Sequence, residues 1–205
     1  MDTAMILTDA GKAHVKVLGN KEGPHALSCE LVCTQLAEWI GLPTLDWSIL
    51  ELGESDTFEL NAGRFAEPGP AFATRTIEPA RPWSGDSKEL SKLTNVEMIP
   101  LLVVFDTLIR NDDRYPPVDD AGVVQSKRKR KVDNVLLTAE GAQPKELRLI
   151  AMDFGRGLST GKDLSPALSR AAAVKDELIY GLFPEFQPFV TQQLVQDAVA
   201  QLQRL

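Results

Sequence analysis

Lys16, Glu30, Asp113, Asn134 and Asp153 are the side chains of this sequence whose types could act together, and the chemistry they suit is phosphoryl transfer. That reaction asks for a cation on the nucleotide phosphates and for carboxylate and amide oxygens on magnesium. It also asks for a carboxylate to orient or deprotonate the acceptor hydroxyl. Lys16 stands between Val15 and Val17 on a strand-like run, so its ammonium points to the face opposite theirs. Glu30 falls in the first turns of the next expected helix, placed to pair with Lys16. A glutamate there also favours the helix dipole. Asp113 follows an apolar helix in a short polar loop, a rigid support for a proton-accepting carboxylate, with Asp112 a close competitor. Asn134 opens one short strand and Asp153 closes another, so pairing of those strands would bring the two together.

The elements that must hold these residues can be read from pattern. Residues 4–8 and 13–18 form a hairpin around the turn signal Asp9-Ala10-Gly11-Lys12. A helix runs from about Ala26 to Ile40, with Leu27, Leu31, Leu36 and Ile40 as an apolar stripe and Gly41-Leu42-Pro43 as its stop. Residues 47–52 and 57–60 leave room for a further strand pair. The Pro- and Gly-rich stretch from Asn61 to Asp86 reads as linker and loops. A second helix spans about Asn95 to Arg110, where Met98, Leu101, Leu102, Phe105, Leu108 and Ile109 recur at three- and four-residue steps. Residues 132–138 and 147–152 are two apolar strands that could pair across a turn at Glu140 to Lys145. The tail is helical, with Phe189, Val190, Leu194, Val195 and Leu202 on one side.

Composition excludes several alternatives. At 205 residues and 43% hydrophobic content the chain fits one functional unit, either one domain or two small lobes sharing a cleft. It holds no apolar run long enough to span a membrane, and its first residues lack the pattern of a signal peptide, so a soluble, cytoplasmic protein is expected. Cys29 and Cys33, four apart in a helix, suit neither a disulfide framework nor a zinc site and read as reduced core thiols. His14 and His25 are the only histidines, and neither sits in a nucleophile-elbow context, which argues against a hydrolytic triad. A net charge of −7 argues against general nucleic-acid binding. The local exception is Lys127-Arg128-Lys129-Arg130-Lys131, read as a solvated loop, or functionally as a grip for RNA, an anionic surface or an acidic partner.

Three segments together resemble the motif series of HipA-like kinases, shared more distantly with phosphatidylinositol kinases. They are Asn111-Asp112-Asp113-Arg114-Tyr115, Asp133-Asn134-Val135-Leu136-Leu137, and Leu149-Ile150-Ala151-Met152-Asp153-Phe154-Gly155. Upstream, His14-Val15-Lys16-Val17 with Gly19-Asn20, and Ala26 to Leu31 running to Gly41-Leu42-Pro43, are similar to that family's lysine strand and glutamate helix. The resemblance covers about residues 4 to 160. It implies an α+β, two-lobed protein-kinase-like fold, with a reduced N-terminal lobe over 1–75 and a mainly helical C-terminal lobe over 76–205. It also implies ATP and Mg as cofactors, with Lys16 on the phosphates, Glu30 holding Lys16, Asn134 and Asp153 on the metal and Asp113 as base. The activity implied is transfer to a protein Ser/Thr hydroxyl. A regulatory module without turnover, or a lipid or small-molecule kinase, are the alternatives. The sequence departs from the family where Tyr115 replaces a histidine and where 134 − 113 = 21 residues separate the loop aspartate from the asparagine, the extra length holding the basic run. The lysine hairpin opens almost at the first residue, so the preceding strand and glycine-rich phosphate loop are expected to be short or missing.

Overall fold

In a computed structural model of the chain, the described residues are 3–139, 146–162 and 177–203. The fold is mixed α/β with two antiparallel sheets. The first sheet contains β1 (Ala4–Thr8), β2 (Gly11–Leu18), β3 (Trp47–Leu52) and β4 (Glu67–Arg75), in the order β1-β2-β4-β3. Strand alternation gives it two distinct faces. Val15, Val17, Ala71 and Ala73 are buried on one, under Phe58, Leu60 and Ala66 from the loop after β3. His14, Lys16, Phe72 and Thr74 stand on the other, where Lys16 is directly opposite Phe72.

β4 corrects the linker expected from Asn61 to Asp86, and it also takes the place of the strand expected at 57–60 as the partner of β3. Pro68, Gly69 and Pro70 disguise it. An interior strand rarely tolerates proline because the ring removes a ladder donor. Here the β2–β4 register jumps between Lys16 and Leu18, from Phe72 to Glu67, so the two prolines lie where that ladder is interrupted. The same irregularity sits beside Lys16, as bulges do where a strand must re-aim a side chain. At the strand's end Gly19 has φ +81°, and a Cβ there would lie 2.3 Å from the Phe65 carbonyl oxygen, so only glycine fits.

The helix α1 (Pro24–Trp39) starts with proline in its first turn, a position preorganised for helix. Its buried face is Ala26, Cys29, Glu30, Cys33, Thr34 and Ala37, whereas the expected stripe residues Leu27, Leu31 and Leu36 are only partly covered. Small side chains let the helix approach its neighbours closely. Cys33, Ala37 and Ile40 join the larger core with α3 (Met98–Ile109), preceded by the single-turn α2 (Ser87–Leu90). That core also holds the second sheet, ordered β5-β6-β7, of β5 (Ala80–Pro82), β6 (Val135–Thr138) and β7 (Arg148–Ala151). The expected β6–β7 pairing is present, with Val135 opposite Ala151. Residues 132–134 form a 3-10 turn instead of continuing the strand. The expected turn from Glu140 to Lys145 lies outside the described residues. Trp83, Phe183 and Phe186 add an aromatic cluster, and the terminal helix α4 (Gln192–Leu202) packs against α3. Among the described residues no helix is long and apolar enough to cross a membrane.

Candidate active site

β2, α1 and the end of β7 bring Lys16, Glu30 and Asp153 together. The Lys16 ammonium donates to Glu30 Oε2, and to Asp153 Oδ1 at 3.0 Å, across 137 positions of sequence. Glu30 has a second task, since its Oε1 accepts the backbone N–H of Phe154 at 3.1 Å. One buried carboxylate therefore ties the lysine to the segment that carries Asp153. Asp153 itself has φ +65°, a left-handed conformation that costs an ordinary residue about 1 kcal/mol and persists only where surroundings fix it. Lys16 on its side chain and Glu30 on the next amide provide that fixation.

Electrostatics follow from one ammonium facing two carboxylates in a buried place. Burial would lower the Lys16 pKa, and the charges of Asp153 and Glu30 reverse that and hold it above the ordinary lysine range. Burial pushes Glu30 up, with Lys16 pulling it back and Asp153 adding to the rise. Burial would raise Asp153 too, but Lys16, then Lys131 and Arg114, outweigh it and hold the carboxyl below its usual value. Within the trio two carboxylates share one ammonium, and Lys131 and Arg114 add positive charge from outside it.

The second group is built at the end of α3. Arg110 closes that helix in a left-handed conformation, and the Asn111 N–H returns to the Asp106 carbonyl at 2.9 Å, which swings the chain into the loop 111–115. Asp106, fully buried, accepts from Asn111 Nδ2 at 3.1 Å and from Arg114 Nε at 2.7 Å. Asn111 Oδ1 in turn accepts the Asp113 N–H at 3.2 Å. Arg114 reaches on to the Asn134 carbonyl and lies 5.4 Å over the Phe154 ring, joining the loop to β6 and to the Asp153 segment. Asp113 thus points to Asn134, whose Nδ2 donates to its Oδ2 at 3.3 Å. Asp112 turns away to Arg156 Nε at 2.9 Å and Arg128 Nε at 2.9 Å. Of the two loop aspartates, the one in contact with Asn134 is Asp113.

The basic run is more engaged than a solvated loop. Lys131 Nζ lies 2.7 Å from Asp113 Oδ2, and Arg128 spans Asp112 and Asp113, the latter at 3.4 Å. Arg130 pairs with Glu185 at 2.9 Å and covers the Phe183 ring. Lys127 and Lys129 remain exposed. Sequence reading gave no role to Asp106 or Arg156, quoted Arg114 only within the loop motif, and read Arg128 and Lys131 only as part of the basic run, without their contacts to Asp112 and Asp113. The one signal available was a carboxylate, Asp106, set among apolar residues of α3, which needs a buried partner.

Beside Lys16 opens a cleft of about 710 Å³, counted to its mouth, with Leu45, Phe72, Ala151 and Met152 on its apolar walls and Lys16, Glu30 and Asp153 at its polar end. That lining suits a small organic ligand with a charged end. Among the described residues no group of three or more His, Cys, Asp or Glu is arranged to hold a metal by itself. Magnesium does not require one, because it is commonly held by one or two protein oxygens together with phosphate and water. Asn134, with its amide nitrogen on Asp113 and its oxygen left as acceptor, and Asp153, two residues past the partner of Val135, fit that donor set.

The two-sheet fold thus carries a lysine–glutamate–aspartate trio lining a cleft and an aspartate–asparagine pair on a loop and a 3-10 turn, an arrangement compatible with phosphoryl transfer. The chain belongs to the HipA-like kinase family, whose model matches residues 8–120, more than half of its length. The match includes Lys16, Glu30 and Asp113 and ends before Asn134 and Asp153. No curated protein shows significant sequence similarity. Among solved structures the chain is similar to WaaP in complex with acyl carrier protein, at a TM-score of 0.43 and 15% identity, covering 98% of this chain and 82% of that one.

Proposed function

We propose that this protein is an ATP- and magnesium-dependent kinase that transfers the γ-phosphoryl group to a serine or threonine hydroxyl of a protein. The observation that carries the reading is the contact of Lys16 with Asp153 at 3.0 Å beside an apolar cleft, because nothing but the fold relates residues 137 positions apart. In this reading the adenine ring lies against Phe72, Leu45 and Met152, and Lys16, held by Glu30, contacts the phosphates. Asn134 and Asp153 hold magnesium, which neutralises charge on those phosphates. Asp113 takes the proton of the acceptor hydroxyl. Burial of this loop under Arg114 and Asp106 keeps the base in one place while the acceptor approaches. The reading carries with it two lobes, 1–75 and 76–205, supported by the separate hydrophobic clusters of the two sheets, and a cytoplasmic setting where ATP is abundant.

Incubation of the purified protein with radiolabelled ATP and magnesium tests it. Label should transfer to the protein itself or to an added protein. Asp113→Asn should cut transfer by about 10²- to 10⁴-fold while keeping the thermal stabilisation that ATP and magnesium confer. Absence of any ATP-dependent stabilisation in the wild type sinks the proposal.

A second reading, a nucleotide-binding regulatory module without turnover, is favoured by one observation: both carboxylate oxygens of Asp113 are engaged by cations, Oδ1 by Arg128 and Oδ2 by Lys131. Stabilisation by ATP without label transfer to any acceptor would select it.

A further inference from the structure

The 21-residue separation of Asp113 from Asn134 is a closed excursion whose ends are sealed. The Lys131 N–H donates to the Arg114 carbonyl at 2.9 Å, and Arg114 also holds the Asn134 carbonyl. The tip is compact as well, because the Asp119 side chain accepts the N–H of Ala121 and Val123 and the Gln125 amide. The excursion thus returns its basic stretch to the mouth of the catalytic loop in a fixed register. From Lys127 to Asn134 the chain carries five cations and a single acid, Asp133, in a protein whose net charge is −7.

Around Asp112 and Asp113 three cations, Arg128, Lys131 and Arg156, face the two carboxylates, with Glu22 also acting on Arg156 and Lys131 also acting on Asp153. Arg128 and Lys131 each keep 36% of their side chains open to solvent, so both can be reached from outside. Lys127 and Lys129 extend the positive surface outward. A hydroxyl that approaches Asp113 therefore meets a cationic rim before it meets the base, while that base is held by the rim's own cations.

Resting on the kinase reading, we propose that residues 127–131 are the acceptor-recognition surface and that the acceptor is a serine or threonine set among acidic residues of a protein. Acidic groups flanking the hydroxyl draw Arg128 and Lys131 off Asp113, so the correct acceptor frees the carboxylate that takes its proton. A serine flanked by basic residues meets repulsion and leaves Asp113 occupied. Such charge matching sets both encounter rate and partner choice. An extended polyanion such as RNA is the poorer fit, because the patch is five residues long and the remainder of the chain is acidic.

Two fluorescent peptides test this, one with serine flanked by aspartates and one with serine flanked by arginines, with anisotropy as the readout. Wild type should bind the acidic peptide at least about tenfold more tightly at low salt, with the preference fading as salt is raised. Lys127→Glu/Lys129→Glu, exposed changes that leave the Asp113 contacts in place, should remove most of that preference, and Arg128→Gln should weaken it independently. Equal affinity for the two peptides, or a preference untouched by these variants, overturns the proposal. Tighter binding of a short oligoribonucleotide than of the acidic peptide overturns it also. ATP-dependent thermal stabilisation, measured on the same samples, reports on the kinase reading alone. Its loss with the peptide preference intact would sink that reading and leave the acidic-partner surface standing.

Discussion

Phe154 and Glu30, 124 positions apart, are joined by a hydrogen bond of 3.1 Å from the backbone N–H of the first to Oε1 of the second, while Oε2 of the same carboxylate holds Lys16. Helix α1 therefore sets two things at once: where the lysine ends, and how the chain turns after Asp153. A shift of α1 would disturb both, and any state in which Glu30 leaves this place loses the Lys16 geometry and the left-handed turn at Asp153 together.

Lys16→Met should expose what the trio balances. Removal of the ammonium leaves the Glu30 and Asp153 carboxylates facing each other in a buried site, and breaking a buried ion pair from one side costs about 3–5 kcal/mol. Urea unfolding should show a loss of that order, and stabilisation by ATP should vanish. The double variant Lys16→Met/Glu30→Gln should recover part of the stability and none of the nucleotide response. A single variant as stable as wild type would mean that the three side chains do not share one buried site.

Some of this arrangement was legible in the sequence, and the reasons differ by element. Lys16 between two valines gives its face away because strand alternation is local, and the β6–β7 hairpin shows itself because both strands are short, apolar and bounded. The helix Met98–Ile109 declares itself by period. β4 was hidden because Pro68 and Pro70 signal loop, and only the interruption of its ladder with β2 makes them tolerable. The buried face of α1 was misjudged because its leucines are the larger apolar groups, whereas close approach selects Ala26, Cys33 and Ala37. Ion pairs such as Lys131 with Asp113 have no period at all. A separation of 18 residues through an irregular excursion is set by tertiary structure, so neither residue type nor spacing predicts it.

Asp153 gives the site a pH signature. Burial would raise its pKa, yet Lys16, Lys131 and Arg114 hold it below the ordinary carboxylate value. A carboxyl group whose pKa falls on folding adds stability above its unfolded value of about 3.9, and that stability disappears as pH drops through the lower folded value. With the coupled titration of Glu30 removed, the gap in unfolding free energy between Glu30→Gln and Glu30→Gln/Asp153→Asn should stay level from neutral pH to about pH 5 and narrow as acid titrates Asp153. A gap that widens toward low pH would show a carboxylate disfavoured by folding, against the ion pair.

Gly157 marks how closely α1 and α3 close on the segment after Asp153. A Cβ at that position would lie 2.7 Å from Cys33 Sγ and 3.0 Å from Ile109 Cδ1, with the Phe154 carbonyl at 3.1 Å. Overpacking of this kind costs about 1–3 kcal/mol. Gly157→Ala should lower the melting temperature accordingly, and Cys33→Ala in the same chain should restore part of it by removing the sulfur. No rescue by Cys33→Ala would place the strain at Ile109 or the backbone instead.

Arg114 separates stability from geometry in one residue. Its guanidinium and the Asp106 carboxylate are both fully buried and 2.7 Å apart, so Arg114→Met leaves an unpaired buried charge and should cost about 3–5 kcal/mol. Arg114→Met/Asp106→Leu replaces the pair with apolar groups, which in other proteins is neutral or better for stability, and the double variant should regain most of the loss in chemical denaturation. It should not regain phosphoryl transfer. Arg114 also holds the Asn134 carbonyl and packs over Phe154, and leucine and methionine offer neither the donor nor the cation. A double variant that is stable, is still stabilised by ATP and transfers slowly would identify Arg114 as a positioning residue for the Asp113–Asn134 pair. Full transfer in that variant would reduce the arginine to a packing element.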